Sequence, residues 1–351
     1  MDKRAPRLRK IRLNIPMKSK RYKTGVVIGK FYPPHRGHKY LIDTALSQSD
    51  RVTAIVCDKK EYSIPGKLRA RWLREIHPDL KVMLIDDKYA PHDSKVWARN
   101  TMKWLGYTPE AVFTSENYGD RYARHMKSKH VLVDLARKQF PVSGTAVREN
   151  PLTHWEFLEP CVRAYFVKRI CVLGAESTGT TTLAKDLAEH YKTAWVPEFG
   201  RMYWEGKMSS RDFSIWNMKE FEFIAKEQNR VEDELAKIAN KVLICDTDAF
   251  ATGLWHERYM NARSGKVEAM SSKRKYDLYL LTGDEIPFVQ DGTRDGEHIR
   301  HNMHKRFIEK LKEENKNFAI ISGSREERLR KSTSLMDNLI KKKPRLGPEY
   351  R

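Results

Sequence analysis

Twice in this chain a short apolar run breaks at a glycine, crosses a loop and hands over to a helical pattern. In the first, Val26, Val27 and Ile28 end in Gly29, and Tyr40, Leu41, Ala45 and Leu46 mark a helix that begins near His38. In the second, Lys168-Arg-Ile-Cys-Val-Leu173 runs into Gly174-Ala-Glu-Ser-Thr-Gly-Thr-Thr-Thr182, and Leu183, Ala184, Leu187 and Ala188 follow at helical spacing. Buried runs that alternate with helices belong to parallel sheets covered by their crossovers. In such α/β sheets ligands bind beyond the carboxyl ends of the strands, where helix N-termini offer free N–H groups to a phosphate. The chain's 351 residues, 40% of them hydrophobic, suffice for two domains with separate cores.

The first loop carries two histidines around a glycine, in Pro33-Pro-His-Arg-Gly-His38. An imidazole donates a hydrogen bond to a phosphoryl oxygen whether neutral or cationic. Two of them can hold the α-phosphate of a nucleotide while charge builds on it, since phosphoryl chemistry depends on positioning and electrostatics. Gly37 lets the backbone approach the triphosphate, and the two prolines stiffen the turn. A polar loop with two solvated histidines is the plain alternative. A second segment, Pro141-Val-Ser-Gly-Thr-Ala-Val-Arg148, places Ser143, Thr145 and Arg148 around a glycine before another helical stretch. It suits a loop that grips distal phosphates, with the arginine offering its N–H fork; an ordinary helix cap with a surface arginine is the alternative.

In the second half, Gly174 and Gly179 have phosphate-loop spacing, and Thr181 stands where a hydroxyl ligates Mg²⁺. Gly174, Glu176, Ser177, Thr178, Gly179, Thr180, Thr181 and Thr182 are therefore expected to frame a triphosphate. The lysine position is Thr180, which removes a point charge that normally reaches the β- and γ-phosphates. Lys241-Val-Leu-Ile-Cys-Asp-Thr-Asp248 reads as a strand ending in two carboxylates that face one side if the strand continues. Asp246 is the candidate for holding Mg²⁺ through water, and Asp248 for orienting a substrate hydroxyl; helix capping is the alternative. Asp277–Gly283 and Asn317–Gly323 read as further parallel strands. Between them lies a candidate lid in which Arg294 closes on the transferred phosphoryl group and replaces the charge lost at Thr180. After Ala194-Trp-Val196, Glu198 is a candidate for ribose hydroxyls and Arg201 for a phosphate, with a local ion pair as the alternative.

Together these segments resemble the nucleotidyltransferases with His-x-Gly-His and Ser-x-Thr-x-x-Arg signatures. Their order, with the connector Pro151–Pro160 leading to a phosphate-loop domain, resembles the bifunctional NadR type. That family joins a nicotinamide-mononucleotide adenylyltransferase to a ribosylnicotinamide kinase. The resemblance covers roughly residues 23–335, including Phe113-Thr-Ser-Glu116 and Asp246-Thr-Asp248. It implies two Rossmann-like and P-loop domains with mainly parallel sheets flanked by helices. The expected divisions are a basic arm (1–22), an adenylyltransferase domain (23–150), a connector (151–167), a kinase-like domain (168–335) and a basic tail (336–351).

By the same resemblance His35 and His38 stabilise the transition state, Lys30 and Arg148 hold phosphates, and Gly29, Phe31, Gly37, Ser143 and Thr145 complete an ATP site. Asp248 would serve the kinase step. The expected ligands are ATP as co-substrate, Mg²⁺, nicotinamide mononucleotide and ribosylnicotinamide; apart from the resemblance, Trp72 and Trp97 are candidates to stack on the nicotinamide, with a place in the core as the favoured alternative for each. Family members often carry an N-terminal helix-turn-helix domain, and only a short basic segment precedes residue 23 here. Two rivals stand beside this reading. The N-terminal signatures also serve transfer to other phosphorylated acceptors, and the second domain can be a sensor that binds nucleotide without turnover.

The net charge of +21 concentrates in Arg4, Arg7, Arg9, Lys10, Arg12, Lys18, Lys20, Arg21 and Lys23, and again at Lys341-Lys-Lys-Pro-Arg345. Such ends fit nucleic acid, solvated tails, polyanionic nucleotides or the neighbouring subunits of a homo-oligomer. No zinc-finger spacing or ribonucleoprotein aromatic motif accompanies them, which weighs against nucleic acid. Cys57, Cys161, Cys171 and Cys245 lie far apart and read as buried reduced thiols. No apolar run is long enough to span a membrane and no secretory pattern opens the chain, so a cytoplasmic protein is expected.

Overall fold

Among the described residues ten strands build two sheets of five, and every pairing within them is parallel. The structure is a computed structural model that describes residues 20–342 except 91, 293 and 295. The first sheet comprises β1 (Tyr22–Gly29), β2 (Ser49–Asp58), β3 (Lys81–Asp86), β4 (Ala111–Thr114) and β5 (Lys129–Leu132), in the order β3-β2-β1-β4-β5. The chain runs outward from β1 to one edge, then returns to β4 on the other side. The crevice between the ends of β1 and β4 is thus a topological switch point.

The second sheet comprises β6 (Lys168–Leu173), β7 (Trp195–Val196), β8 (Val242–Asp246), β9 (Leu278–Thr282) and β10 (Phe318–Ile321), in the order β10-β9-β6-β8-β7. Here β6 is central, and the loop after it opens between the ends of β8 and β9. The expected parallel α/β architecture is what the chain adopts. Strands β4, β8 and β9 are buried at every position, which explains their unbroken apolar runs. The helix Thr180–Tyr191 buries Leu183, Ala184, Leu187 and Ala188, the face that their spacing predicts.

The segment 151–167 is part of the core. Leu152, Trp155, Leu158, Val162 and Phe166 are buried in one apolar cluster with Trp72, Val142 and Val147 of the first half and Val196, Leu243 and Cys245 of the second. At the other end, the helix Arg325–Lys341 runs through position 335 and buries Met336 against β6, β8 and β9, so the packed chain continues to that helix's end. Lys20 donates to the carbonyls of Leu46 and Ser49 at the C-terminus of the helix Arg36–Gln48, where a cation complements the helix dipole. The other basic residues expected in the arm from Arg4 to Lys18, and Lys343 to Arg345, lie outside the described residues. All four cysteines are buried and unpaired. Among the described residues no helix is long and apolar enough to cross a membrane.

Candidate functional sites

A cavity of about 880 Å³ opens at the switch point of the first sheet. His35 is the N-cap of the helix Arg36–Gln48, in extended conformation and without a side-chain capping bond, so its ring is left to the cavity. His38 sits in the helix's first turn. The two rings stack with centroids 3.8 Å apart, and Phe31 meets His38 edge-on at 5.1 Å. Burial holds His35 well below the ordinary histidine range, helped by His38 and Arg137. His38 is lowered to about 4, again by burial first and Arg137 second. Both imidazoles are therefore neutral at pH 7, and each has a buried Nδ1 without a hydrogen-bond partner. Space is tight at Gly37: a Cβ would lie 3.1 Å from the His35 ring and would press on it.

The second segment faces this loop across the cavity, and Arg148 joins the two. Its guanidinium donates to the Tyr32 carbonyl at 2.5 Å and to the Thr145 hydroxyl at 3.0 Å, and lies 4.4 Å above the Tyr32 ring. Ser143 caps the short helix Gly144–Glu149 by accepting from the Ala146 N–H, which leaves its own O–H to donate. Only glycine fits at 144, because a Cβ would stand 2.8 Å from the Tyr32 carbonyl. Lys30 is exposed on the cavity wall, and Gly29, Phe31, Gly37, Ser143 and Thr145 line it too. The structure thus brings His35, His38, Lys30 and Arg148 together with Gly29, Phe31, Gly37, Ser143 and Thr145 on one cavity.

It also adds residues that the motifs do not contain. Arg137, with φ of 51°, reaches the wall and donates to Glu116 at 3.3 Å; Arg121 and Tyr118 stand nearby. Behind the loop, the fully buried Arg69 donates to the carbonyls of Lys30, Cys57 and Ile64 and to Asp58, 5.4 Å from the Tyr32 and Tyr62 ring centres. Of the two tryptophans expected at the nicotinamide, Trp97 lines the cavity, packed against Tyr89 and Trp104. Trp72 does not: it is buried in the core, edge-on to Tyr165.

A second cavity, of about 250 Å³, opens beyond β6 and β8. Gly174 cannot carry a side chain, since a Cβ would fall 2.2 Å from the Thr282 hydroxyl. Gly179 turns the chain into the helix Thr180–Tyr191 with φ of +80°, and Ser177 adopts φ of +58° before it. Thr178 is tied inward to the Ala175 carbonyl at 2.7 Å, while Thr180, Thr181 and Thr182 open onto the cavity. The Thr181 hydroxyl donates to Asp246 at 2.6 Å. A hydroxyl beside one carboxylate fits Mg²⁺, which takes few protein ligands and completes its shell with phosphate and water. Among the described residues no cluster of three or more His, Cys, Asp or Glu forms a dedicated metal cage.

Carboxylates crowd this cavity. Burial raises Asp246 to about 6 against hydrogen bonds from Thr181 and Thr180 that pull it down. Burial and the neighbouring Asp246 raise Glu198 to about 7. Glu176 accepts from the Gly296 N–H at 3.3 Å, which ties the segment after β9 to the phosphate loop. Arg201 pairs with Glu205 and with Asp291 at 2.7 Å, not with Glu198. Arg294 reaches Ser177 Oγ at 3.2 Å and also pairs with Asp291.

Asp248 corrects the expectation. Strand β8 ends at Asp246 because Thr247 takes φ of 70°, so the two carboxylates do not share a side. Asp248 instead caps the helix Ala249–Met260, accepting from the Ala251 N–H at 2.9 Å and from the Tyr279 hydroxyl at 3.0 Å. It is buried and is not part of the cavity wall. Opposite the phosphate loop stands an aromatic wall of Trp204, Trp216, Phe221, Trp255 and Tyr259, with Trp204 and Trp216 stacked at 5.2 Å. The spacing of Trp255 and Tyr259, four apart on one helix, was the signal for part of it.

Comparison with known proteins gives these sites a context. A family model described as an AAA domain matches residues 169–328. The chain is 30% identical over 320 residues to "Trifunctional NAD biosynthesis/regulator protein NadR" of Escherichia coli (strain K12), covering 84% of this chain and 77% of that protein. The protein of the same name from Salmonella typhimurium (strain LT2) is 30% identical over 318 residues, with the same coverage. Among solved structures, a NadR protein in complex with NAD and AMP-PNP aligns with a TM-score of 0.70 at 21% identity, over 92% of this chain and 98% of that one. A NadR protein in complex with NR aligns with a TM-score of 0.75 at 22% identity, over 94% of this chain and 99% of that one.

Proposed function

The chain belongs to the NadR family, whose named relatives are NAD biosynthesis and regulator proteins, and on that premise we propose that its two cavities carry out successive steps. The second phosphorylates ribosylnicotinamide with ATP. The first joins the resulting mononucleotide to the AMP portion of another ATP, releasing pyrophosphate and forming NAD. The observation that carries this reading is the stacked, neutral His35–His38 pair facing Arg148 across one cavity. In adenylyl transfer a phosphate oxygen of the mononucleotide attacks the α-phosphorus in line, and the bond to the β-phosphate oxygen breaks. No base is needed, because the attacking oxygen is already anionic. Lys30, Arg148 and Arg137 balance charge on the departing pyrophosphate, and the imidazoles donate to the α-phosphoryl oxygens.

For the kinase step the aromatic wall supports a planar cationic ring, because aromatic faces attract cations. A NadR protein binds NR, which is such a cation when read as nicotinamide riboside. Glu198, on the cavity wall and poised near neutrality, is the group to accept the proton of the 5′-hydroxyl. Thr181 and Asp246 would hold Mg²⁺, which when bound neutralises phosphate charge. A second reading, nucleotide sensing without turnover, is favoured by one observation, the threonine at position 180. The test is the purified chain with ATP and Mg²⁺, supplied with ribosylnicotinamide or its mononucleotide and followed by chromatography. NAD from both is expected. NAD from the mononucleotide alone would support the sensor; NAD from neither would overturn the nicotinamide assignment and turn the search to other phosphorylated acceptors.

A further inference from the structure

Thr180 leaves the phosphate loop without a cation of its own, and the side chain is occupied. Its methyl lies 3.3 Å from where a Gly174 Cβ would stand, and its hydroxyl bonds to Asp246. Each basic side chain near the loop can be assigned a task. Arg328 is buried behind it, donating to the carbonyls of Thr178, Gly283 and Gly323 and paired with Glu285. Arg300 donates to the carbonyls of Ser177 and Ile286. Lys185 is exposed and lies over the Trp195 ring at 4.7 Å. None of these three lines the cavity. Among the described residues two basic ones do, Arg201 and Arg294. Arg201 belongs to the helix Phe199–Lys207 and pairs with Glu205, whereas Arg294 touches the phosphate loop itself through Ser177 Oγ at 3.2 Å.

We infer that Arg294 supplies, from the segment after β9, the positive charge that a lysine at position 180 would supply from within the loop. This deepens the kinase reading and rests on it. A guanidinium is suited to the exchange, since its planar fork meets phosphate oxygens at two points and stays charged. The shared partner fits as well: Asp291 contacts Arg201 at 2.7 Å and Arg294 at 3.2 Å, so a polyphosphate competes with one carboxylate for two guanidinium groups. The charge on the β- and γ-phosphates then comes from a residue that the P-loop pattern does not include.

Five proteins test this: the wild type, Arg294→Ala, Arg294→Lys, Thr180→Lys and the double variant Arg294→Ala with Thr180→Lys. ADP with Mg²⁺ is titrated by calorimetry, because ADP is a product of phosphoryl transfer and not of adenylyl transfer. Ribosylnicotinamide phosphorylation is followed with ATP varied, and adenylyl transfer in the other cavity checks that each variant is folded. Arg294→Ala is expected to weaken ADP binding and kcat/KM for ATP by about tenfold or more, the loss of a charge-assisted bond pair. Thr180→Lys is expected to recover most of that in the Arg294→Ala background. Arg294→Lys, which keeps the charge, should fall between. The inference is overturned if Arg294→Ala binds ADP like the wild type, or if a folded double variant does no better than Arg294→Ala. A wild type that binds ADP through Arg294 but transfers no phosphoryl group would sink the kinase reading and leave the inference standing. Phosphorylation that ignores Arg294 would do the reverse.

Discussion

The imidazoles of His35 and His38 stack 3.8 Å apart, the first buried and the second half-buried, and desolvation keeps both uncharged at pH 7. Two adjacent rings cannot both take protons at low cost in a desolvated site, and Arg137 adds its own repulsion. In the proposed adenylyl transfer the pair would therefore meet the nucleotide as neutral donors whose protons are placed by the phosphate oxygens themselves.

This arrangement makes stability depend on pH in a stated direction. In the unfolded chain both histidines protonate near pH 6.5, whereas in the folded one His38 stays neutral down to about 4 and His35 stays neutral well below the ordinary value. Falling pH then favours the unfolded chain, which binds more protons. Stability is full above pH 6.5 and declines as pH falls from 6.5 through about 4, with His38 alone contributing about 2 to 3 kcal/mol over that window. Urea midpoints measured at steps across this window should fall steadily. The double substitution His35→Asn and His38→Asn should flatten the slope; an unchanged slope would assign the acid sensitivity elsewhere.

Removal of one ring separates the two activities. His38→Ala is expected to lower adenylyl transfer by at least about a hundredfold, as loss of a preorganised donor does, while ribosylnicotinamide phosphorylation continues. The two cavities lie on different sheets, so loss of both activities with an unchanged melting temperature would mean that they are not independent sites.

What the sequence made legible was local. The strand–loop–helix transitions, the His35–His38 pair and the Gly174–Thr181 loop lie within short windows, and their residues act on neighbours in the chain. Arg69, Arg137 and the aromatic wall are contributed by segments far apart, and apart from the four-residue spacing of Trp255 and Tyr259 nothing near them in sequence marks them. Asp248 was misread for a smaller reason. The reading assumed that β8 continued, and Thr247 in a left-handed conformation ended it, turning a second carboxylate into a helix cap. Trp72 takes the core place that its residue type favoured, in the cluster that the connector helps to build.

The exchanged roles of Asp248 and Glu198 can be checked together. Glu198→Gln should reduce phosphorylation by about a hundredfold or more, the scale of general-base catalysis, with little change in melting temperature. Asp248→Ala removes a cap and strands a buried Tyr279 hydroxyl, which together should cost about 2 kcal/mol or more of stability. Calorimetry and initial rates on both variants decide the matter. A stable Asp248→Ala protein with no kinase activity would restore the aspartate to the chemistry.

Arg69 gives the last test, because its influence on the first cavity passes through the backbone. The guanidinium is fully buried and satisfies three carbonyls, among them that of Lys30, while pairing with Asp58 between Tyr32 and Tyr62. Tyr32 in turn offers its own carbonyl to Arg148. Arg69 thus fixes the turn on which Lys30 and Tyr32 sit, and through Tyr32 the carbonyl that Arg148 bonds. Arg69→Met keeps an unbranched stem but removes the guanidinium and leaves three carbonyls and Asp58 without their donor, an expected loss of about 3 kcal/mol or more in urea unfolding. Where the variant remains folded, the turn is held less firmly and KM for ATP in adenylyl transfer should rise more than kcat falls. Equal losses in both variants Arg69→Met and His38→Ala, confined to kcat, would instead place Arg69 among the groups that act on the transition state.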